Sequence, residues 1–238
     1  FPGISVKIYV ADLLDQTEVV RACREIADAH PKIEALYNVA GFLSDERTNS
    51  PQNIEAHFAL NTIAPYLFSK HLFDPLAAAG CPDARTVIVN FGSSAVNSVQ
   101  SLDVQTLANP AKIGGLMGAY ANTKLALTAM TRAMSDEAAE SNVSYLTVDP
   151  GPTKTPMTAS GDGMPWFIRL LAPLLFKPVE VQAKRIVDSV RQATADRESG
   201  LYISEGRRRP FPRLATDKAL QAEVIKLLDD LTDQYCAD

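Results

Sequence analysis

The chain predicts a doubly wound α/β fold built on a parallel sheet, and three observations carry that expectation. Short β-branched runs alternate with helical patterns from one end of the chain to the other. Two runs, Thr86–Phe91 and Val143–Val148, are continuously apolar or nearly so, as strands buried on both faces are. Polar and small residues suited to chemistry gather where strands end: Asp12, Asn38 to Gly41, Ser93 and Pro150-Gly151. In open sheets of this kind ligands sit outside those carboxyl ends.

Taken in order, Ile4–Val10 alternates and reads as a strand running into Asp12-Leu13. Asp15 to Ala29 reads as an amphipathic helix with Val19, Val20, Cys23, Ile26 and Ala27 on one face. Ala35–Val39 is a short strand, and a polar loop through Pro51 leads into a long helix from Asn53 to Ala79. After strand Thr86–Phe91 and a loop from Val96 to Met117, a helix carries Tyr120 and runs to about Glu140. Strand Val143–Val148 follows. Residues 152–178, rich in Pro, Gly and Met, form an irregular segment. A helix from Val179 to Ala195 and a last strand, Gly200 to Ser204, precede Arg207-Arg208-Arg209, read as a basic turn. The closing helix, Thr216 to Gln234, places Leu220, Val224, Leu227, Leu228 and Leu231 on one stripe.

The bulk numbers set limits. At 238 residues the chain fits one domain, 1–238, with no linker or repeat. A net charge of −5 argues against a general nucleic-acid surface. Cys23, Cys81 and Cys236 show neither metal-ligand spacing nor a disulfide framework, which points to a reduced, cytoplasmic setting. His30, His57 and His71 have no metal-ligand spacing either and are read as structural, so no metal is expected. The longest apolar stretch, Trp166 to Phe176, is broken by Arg169 and Pro173 and is too short for a membrane span.

The chemistry centres on Tyr120 and Lys124, four residues apart and therefore on one helical face. A phenol with a pKa near 10 is a poor acid or base at neutral pH. An ammonium beside it favours the phenolate and brings the pKa toward the working range. By itself the spacing is weak evidence, since a core-edge Tyr and a solvated Lys four apart are the commoner reason for it.

With these pieces in order, the sequence resembles the short-chain dehydrogenase/reductase family over essentially its whole length. The matching residues are Asp12-Leu13, Asn38-Val39-Ala40-Gly41, Asn61, Ser93, Tyr120-Ala-Asn-Thr-Lys124, and Pro150-Gly151 with Thr153 and Thr155. The gap of 120 − 93 = 27 positions between serine and tyrosine resembles the retinol-dehydrogenase-like branch. The resemblance implies a Rossmann-like fold, NAD or NADP as cofactor, and interconversion of a carbonyl and an alcohol by hydride transfer. It implies Tyr120 as general acid or base, Lys124 on the nicotinamide ribose, Ser93 on the substrate oxygen, and Asn61 in a water-mediated proton relay. For the cofactor it implies Asp12 and Leu13 at the adenine, Asn38, Ala40 and Gly41 along its ribose, and Pro150, Gly151, Thr153 and Thr155 around the nicotinamide and phosphates. Residues 152–178 would form a substrate lid, whose apolar side chains suit a small apolar carbonyl or alcohol. A subunit interface is the other use of that segment, so homo-oligomerisation stays open.

Three departures stand out. No Gly-rich phosphate turn precedes Ile4–Val10, so the residues are read as part of a longer protein lacking roughly 40–60 residues of a βαβ unit, and the NAD/NADP preference is not legible. In the expected strand order the missing strand would lie between Ile4–Val10 and Ala35–Val39. Val39 replaces a more usual Asn, and Asp149 stands where the family often has Asn. A silent binding or regulatory protein on the same fold is the main alternative function, with a lyase or epimerase behind it.

Overall fold

A computed structural model of the chain describes residues 3–153 and 176–236. Five strands form one sheet in the order β1-β2-β3-β4-β5. These are β1 (Ala35–Asn38), β2 (Thr86–Phe91), β3 (Val143–Asp149), β4 (Leu201–Ser204) and β5 (Arg207–Arg209). The first four are mutually parallel, with Asn38 opposite Asn90, Phe91 opposite Val148 and Asp149 opposite Ser204. Parallel neighbours need long crossovers, and helices supply them.

The crossover from β1 to β2 contains α2 (Ala56–Phe58), a π-helical turn (Ala59–Ile63), α3 (Ala64–His71) and α4 (Phe73–Ala79). Between β2 and β3 runs α5 (Ala119–Glu137), and between β3 and β4 lies α6 (Val179–Ala195). Before the sheet comes α1 (Gln16–Ala29), capped by the Asp15 carboxylate on the Thr17 N–H at 2.9 Å; after it comes α7 (Lys218–Cys236).

The strand pattern dictates the two layers. Ile88, Val143 and Tyr145 face Val19, Leu67, Leu127, Met130 and Val224 from α1, α3, α5 and α7. Their alternates Val87, Val89, Leu146 and Val148 face Ile186, Val190 and Ala193 of α6. Each fully buried aliphatic side chain contributes on the order of 1.5–3 kcal/mol relative to exposure. Helices on both faces make the sheet doubly wound, and β2 and β3 lie at its centre.

Four expectations need correction. Ile4–Val10 is extended but pairs with nothing among the described residues, and Ile4, Val6, Ile8 and Val10 are 64 to 80% exposed. Alternation supplies a strand with a face, but its backbone groups also need a neighbour. The segment is held instead by Arg21, which donates to the Val10 carbonyl at 2.8 Å, and the outer edge of β1 has no strand partner among the described residues. Arg207–Arg209, read as a turn, is strand β5, antiparallel to β4. The single long helix from 53 to 79 is interrupted at the π-turn and again at Leu72, whose backbone leaves helical geometry. The loop from 96 to 117 is not featureless, since three short 3₁₀ turns tuck Val96 and Val104 into the interior. Of the segment 152–178, residues 154–175 lie outside the described residues, and Thr155 with them.

Candidate active site

The carboxyl edge of β2 and β3 meets the first turn of α5, and there the side chains converge. The turn is set by glycine: a Cβ on Gly118 would lie 2.1 Å from the Ile113 carbonyl oxygen, which accepts the Ala119 N–H. No larger residue fits that approach. From the other side the π-turn anchors α5. Thr62 donates to the Thr123 carbonyl at 3.0 Å, and the Asn61 side-chain amide reaches Thr123 Oγ1 at 3.4 Å. Single π-turns inside helices often mark functional positions.

Tyr120 and Lys124 are both buried on that face. The Lys124 ammonium donates to the Phe91 carbonyl at 2.7 Å and lies 5.9 Å from the Tyr120 ring centroid. Ser93, the residue after Gly92 at the end of β2, has its side chain beside the Tyr120 hydroxyl, where it favours the ionised phenol. The structure therefore brings Ser93, Tyr120 and Lys124 together. Asn61 belongs to the same cluster: a Cβ on Gly41 would sit 3.7 Å from Asn61 Oδ1 and 3.8 Å from Lys124 Nζ. Its side chain is occupied, accepting from the Phe42 N–H at 2.8 Å and donating to the Phe42 carbonyl at 3.0 Å.

The electrostatics differ from the expectation of an acidified phenol. Burial raises the Tyr120 pKa above its ordinary value; the Ser93 side chain opposes this and the Asp149 charge adds to it. Burial lowers Lys124 to about 8, with Asp149 partly offsetting the loss. The ammonium is committed to a carbonyl and is itself desolvated, so here the phenol keeps its proton.

Around this centre, Asn38 donates to Asn90 Oδ1 at 2.8 Å, and Asn90 in turn to Thr131 Oγ1 at 2.9 Å, which pins the end of β1 to the central strand. Leu13, Asn38 and Ala40 line one cavity of about 230 Å³ between β1 and α3. Asp12 lies apart from the catalytic cluster; its carboxylate accepts the Leu14 N–H at 2.9 Å in a turn leading to α1. Gly151 takes φ +72, and Thr153 donates to its carbonyl at 2.9 Å. The Pro150 carbonyl accepts from the Gln182 side chain.

Two groups at the site escaped the sequence reading. His57 and Glu55 are both fully buried and bonded at 2.7 Å, and the His57 ring stands edge-on to Tyr120. His57 Nε2 accepts the Ser44 N–H at 3.1 Å, so the ring proton is on Nδ1 and points at Glu55. Its helical position two residues after Glu55 gives no signal beyond that of a core histidine. Asp149, noticed only as a departure, is buried at the end of β3.

The residues suit a nicotinamide cofactor. An ammonium has three N–H donors, and the Phe91 carbonyl takes one, leaving a buried donor set matched to ribose hydroxyls. The crevice beside β1 is lined in part by Asn38, Val39 and Ala40 at that strand's carboxyl end. Among the described residues no cluster of His, Cys, Asp or Glu could hold a metal ion.

A doubly wound sheet with this Ser, Tyr and Lys set on its carboxyl edge defines a nicotinamide-dependent oxidoreductase. The short chain dehydrogenase family pattern matches residues 3–164, and the chain belongs to that family. It is 30% identical over 156 residues to human polyprenol dehydrogenase, covering 63% of this chain and 46% of that protein. To human dehydrogenase/reductase SDR family member 12 it is 24% identical over 230 residues, covering 95% of this chain and 69% of the relative. The chain thus spans less than half of the first relative and about two thirds of the second. The fold matches the NADPH-bound carbonyl reductase from chicken fatty liver with a TM-score of 0.61 at 20% identity, covering 84% of this chain and 75% of that one.

Proposed function

We propose that the protein reduces an apolar ketone or aldehyde to the alcohol, with Tyr120 as the general acid. The observation that supports this reading is the buried Tyr120, kept protonated by that burial, with Lys124 Nζ 5.9 Å from its ring centroid and Ser93 beside its hydroxyl. A neutral phenol is a proton donor, which favours the reductive direction at neutral pH. Bound NAD(P)H supplies the hydride to the carbonyl carbon.

The chain's own residues complete the reaction. Ser93 and Tyr120 converge on the carbonyl oxygen and orient it. As negative charge develops there, the Tyr120 O–H bond breaks and its proton passes to oxygen, giving the alcohol and a phenolate. Lys124 would stabilise that phenolate and would hold the nicotinamide ribose. Reprotonation would pass through Lys124 and a water near Asn61. Asn38, Ala40 and Gly41 would line the adenosine side, with Asp12 and Leu13 at the adenine. Pro150, Gly151, Thr153 and Thr155 would close on the nicotinamide and phosphates. Polyprenol dehydrogenase is by its name active on a long apolar alcohol, which supports an apolar substrate class here. The cysteine usage supports a cytoplasmic setting.

The test is consumption of NADH or NADPH by full-length protein with a panel of apolar aldehydes and ketones. Tyr120→Phe should fold normally and lose about 10²- to 10⁴-fold in turnover. Near-normal turnover in that variant would refute the assignment.

A further inference from the structure

We propose that Asp149 is a positioning residue of this site: its buried carboxylate ties the Pro150-Gly151 turn to the end of β4 beside the serine turn and stations a negative charge near Tyr120 and Lys124. The inference rests on the reading of Tyr120 as the proton donor.

The ties are specific. Asp149 Oδ1 accepts the Gly151 N–H at 2.9 Å, and Oδ2 accepts the Ser204 hydroxyl at 2.9 Å. The Ser94 N–H, directly after Ser93, lies near enough to this carboxylate to favour its charged form. The main-chain carbonyl of Asp149 accepts the Glu205 N–H at 2.9 Å. One side chain therefore fixes the Pro150-Gly151 turn against the end of β4, with the serine turn beside them. Such supporting hydrogen bonds are what hold reacting groups within the narrow geometry that proton transfer needs.

Placement of the charge follows from the register. Phe91, whose carbonyl holds Lys124, is paired with Val148, and Asp149 is the next residue. Among the described residues no cation forms an ion pair with Asp149, so its field is not cancelled at contact. The groups facing it are Tyr120 and Lys124 on α5, Tyr202 on β4 and Glu205 on the following turn. Glu205 is paired with Lys177 at 2.6 Å and feels Arg185 and Arg207; His57 approaches Tyr120 from α2. Burial raises the Asp149 pKa above the ordinary carboxylate value, while its hydrogen bonds from Gly151 and Ser204 favour the charged form; ionised, the carboxylate favours the proton on both Tyr120 and Lys124.

Asp149→Asn separates charge from scaffold. Its amide oxygen can still accept from Gly151 and its amide N–H can donate to Ser204 Oγ, while the charge is gone. The phenol of Tyr120 is titrated by ultraviolet difference absorbance against Tyr120→Phe, in wild-type and Asp149→Asn backgrounds, without substrate. Ionisation should move to lower pH in Asp149→Asn, and the alkaline limb of the reduction profile should move the same way. An unchanged titration in a folded Asp149→Asn protein would overturn the proposal. Should that variant fail to fold, Asp149→Ser, neutral and smaller, carries the same expectation. Normal turnover by Tyr120→Phe would remove the hydride reading alone, since the phenol titration still decides whether Asp149 governs the Tyr120–Lys124 pair.

Discussion

The Lys124 ammonium donates to the main-chain carbonyl of Phe91 at 2.7 Å while lying 5.9 Å from the centroid of the Tyr120 ring. A cation is thus drawn into the interior by a strand end, within reach of the phenol but bonded to the backbone. Its burial has a cost to stability that a cofactor would offset on binding.

Replacing Lys124 should expose that cost. With Lys124 lowered from 10.5 to about 8, the folded protein binds fewer protons than the unfolded chain between those values. The contribution of Lys124 to stability should therefore rise with pH across that window, because the unfolded state holds the extra proton there. Lys124→Met should abolish this rise and stabilise the protein at pH 7 by up to roughly 3 kcal/mol, less the lost Phe91 hydrogen bond. Urea melts at pH 7 and pH 10 check it, and nicotinamide binding should be lost in the same variant.

Turnover should follow the same group. If the charged ammonium is needed, reduction is sustained through neutral pH and declines above about pH 8 as Lys124 loses its proton. A profile flat to pH 10 would separate Lys124 from the rate.

The buried His57–Glu55 pair makes a stability prediction. His57→Leu would leave the Glu55 carboxylate in the interior without its ring N–H and strip the acceptor from the Ser44 N–H. A loss of about 3 kcal/mol or more is expected, from the general cost of an unpaired buried charge. Adding Glu55→Gln should recover part of it, measured as a double-mutant cycle by chemical denaturation.

At Gly151 two costs can be told apart. An alanine there would hold φ +72 and bring its Cβ to 2.6 Å from Glu205 Cγ. Gly151→Ala should lose more than about 1 kcal/mol, and Glu205→Ala should return only the steric part, the rest being backbone strain. Thermal melts of the single and double variants would show it.

How far the sequence disclosed this depended on the kind of signal. Continuous runs identified β2 and β3, and the Asp15 cap with a one-sided apolar pattern identified α1, because burial on two faces or one leaves a direct imprint on residue type. The motif positions also placed Ser93, Tyr120 and Lys124 on adjoining elements. Ile4–Val10 misled because periodicity reports a preferred face and is silent on whether a neighbour exists. Arg207–Arg209 was missed because arginine carries no strand preference, yet Glu205-Gly206 between two runs was a usable clue. Both adopt positive φ, +50 and +76, as a tight hairpin turn requires. The protonated state of Tyr120 was out of reach, since it depends on how much water the fold removes and on Asp149 arriving from another strand.

The hairpin at the end of the sheet has one more consequence. β5 presents Arg207, Arg208 and Arg209 in sequence, all exposed, along the last border of the ladder. Arg208 is bridged to Asp196 and Glu198, so two copies meeting border to border there would set Arg207 and Arg209 of one against those of the other. Sheet extension from that side is opposed by charge as well as by the shortness of the strand, so this rim guards the molecule against joining edge to edge.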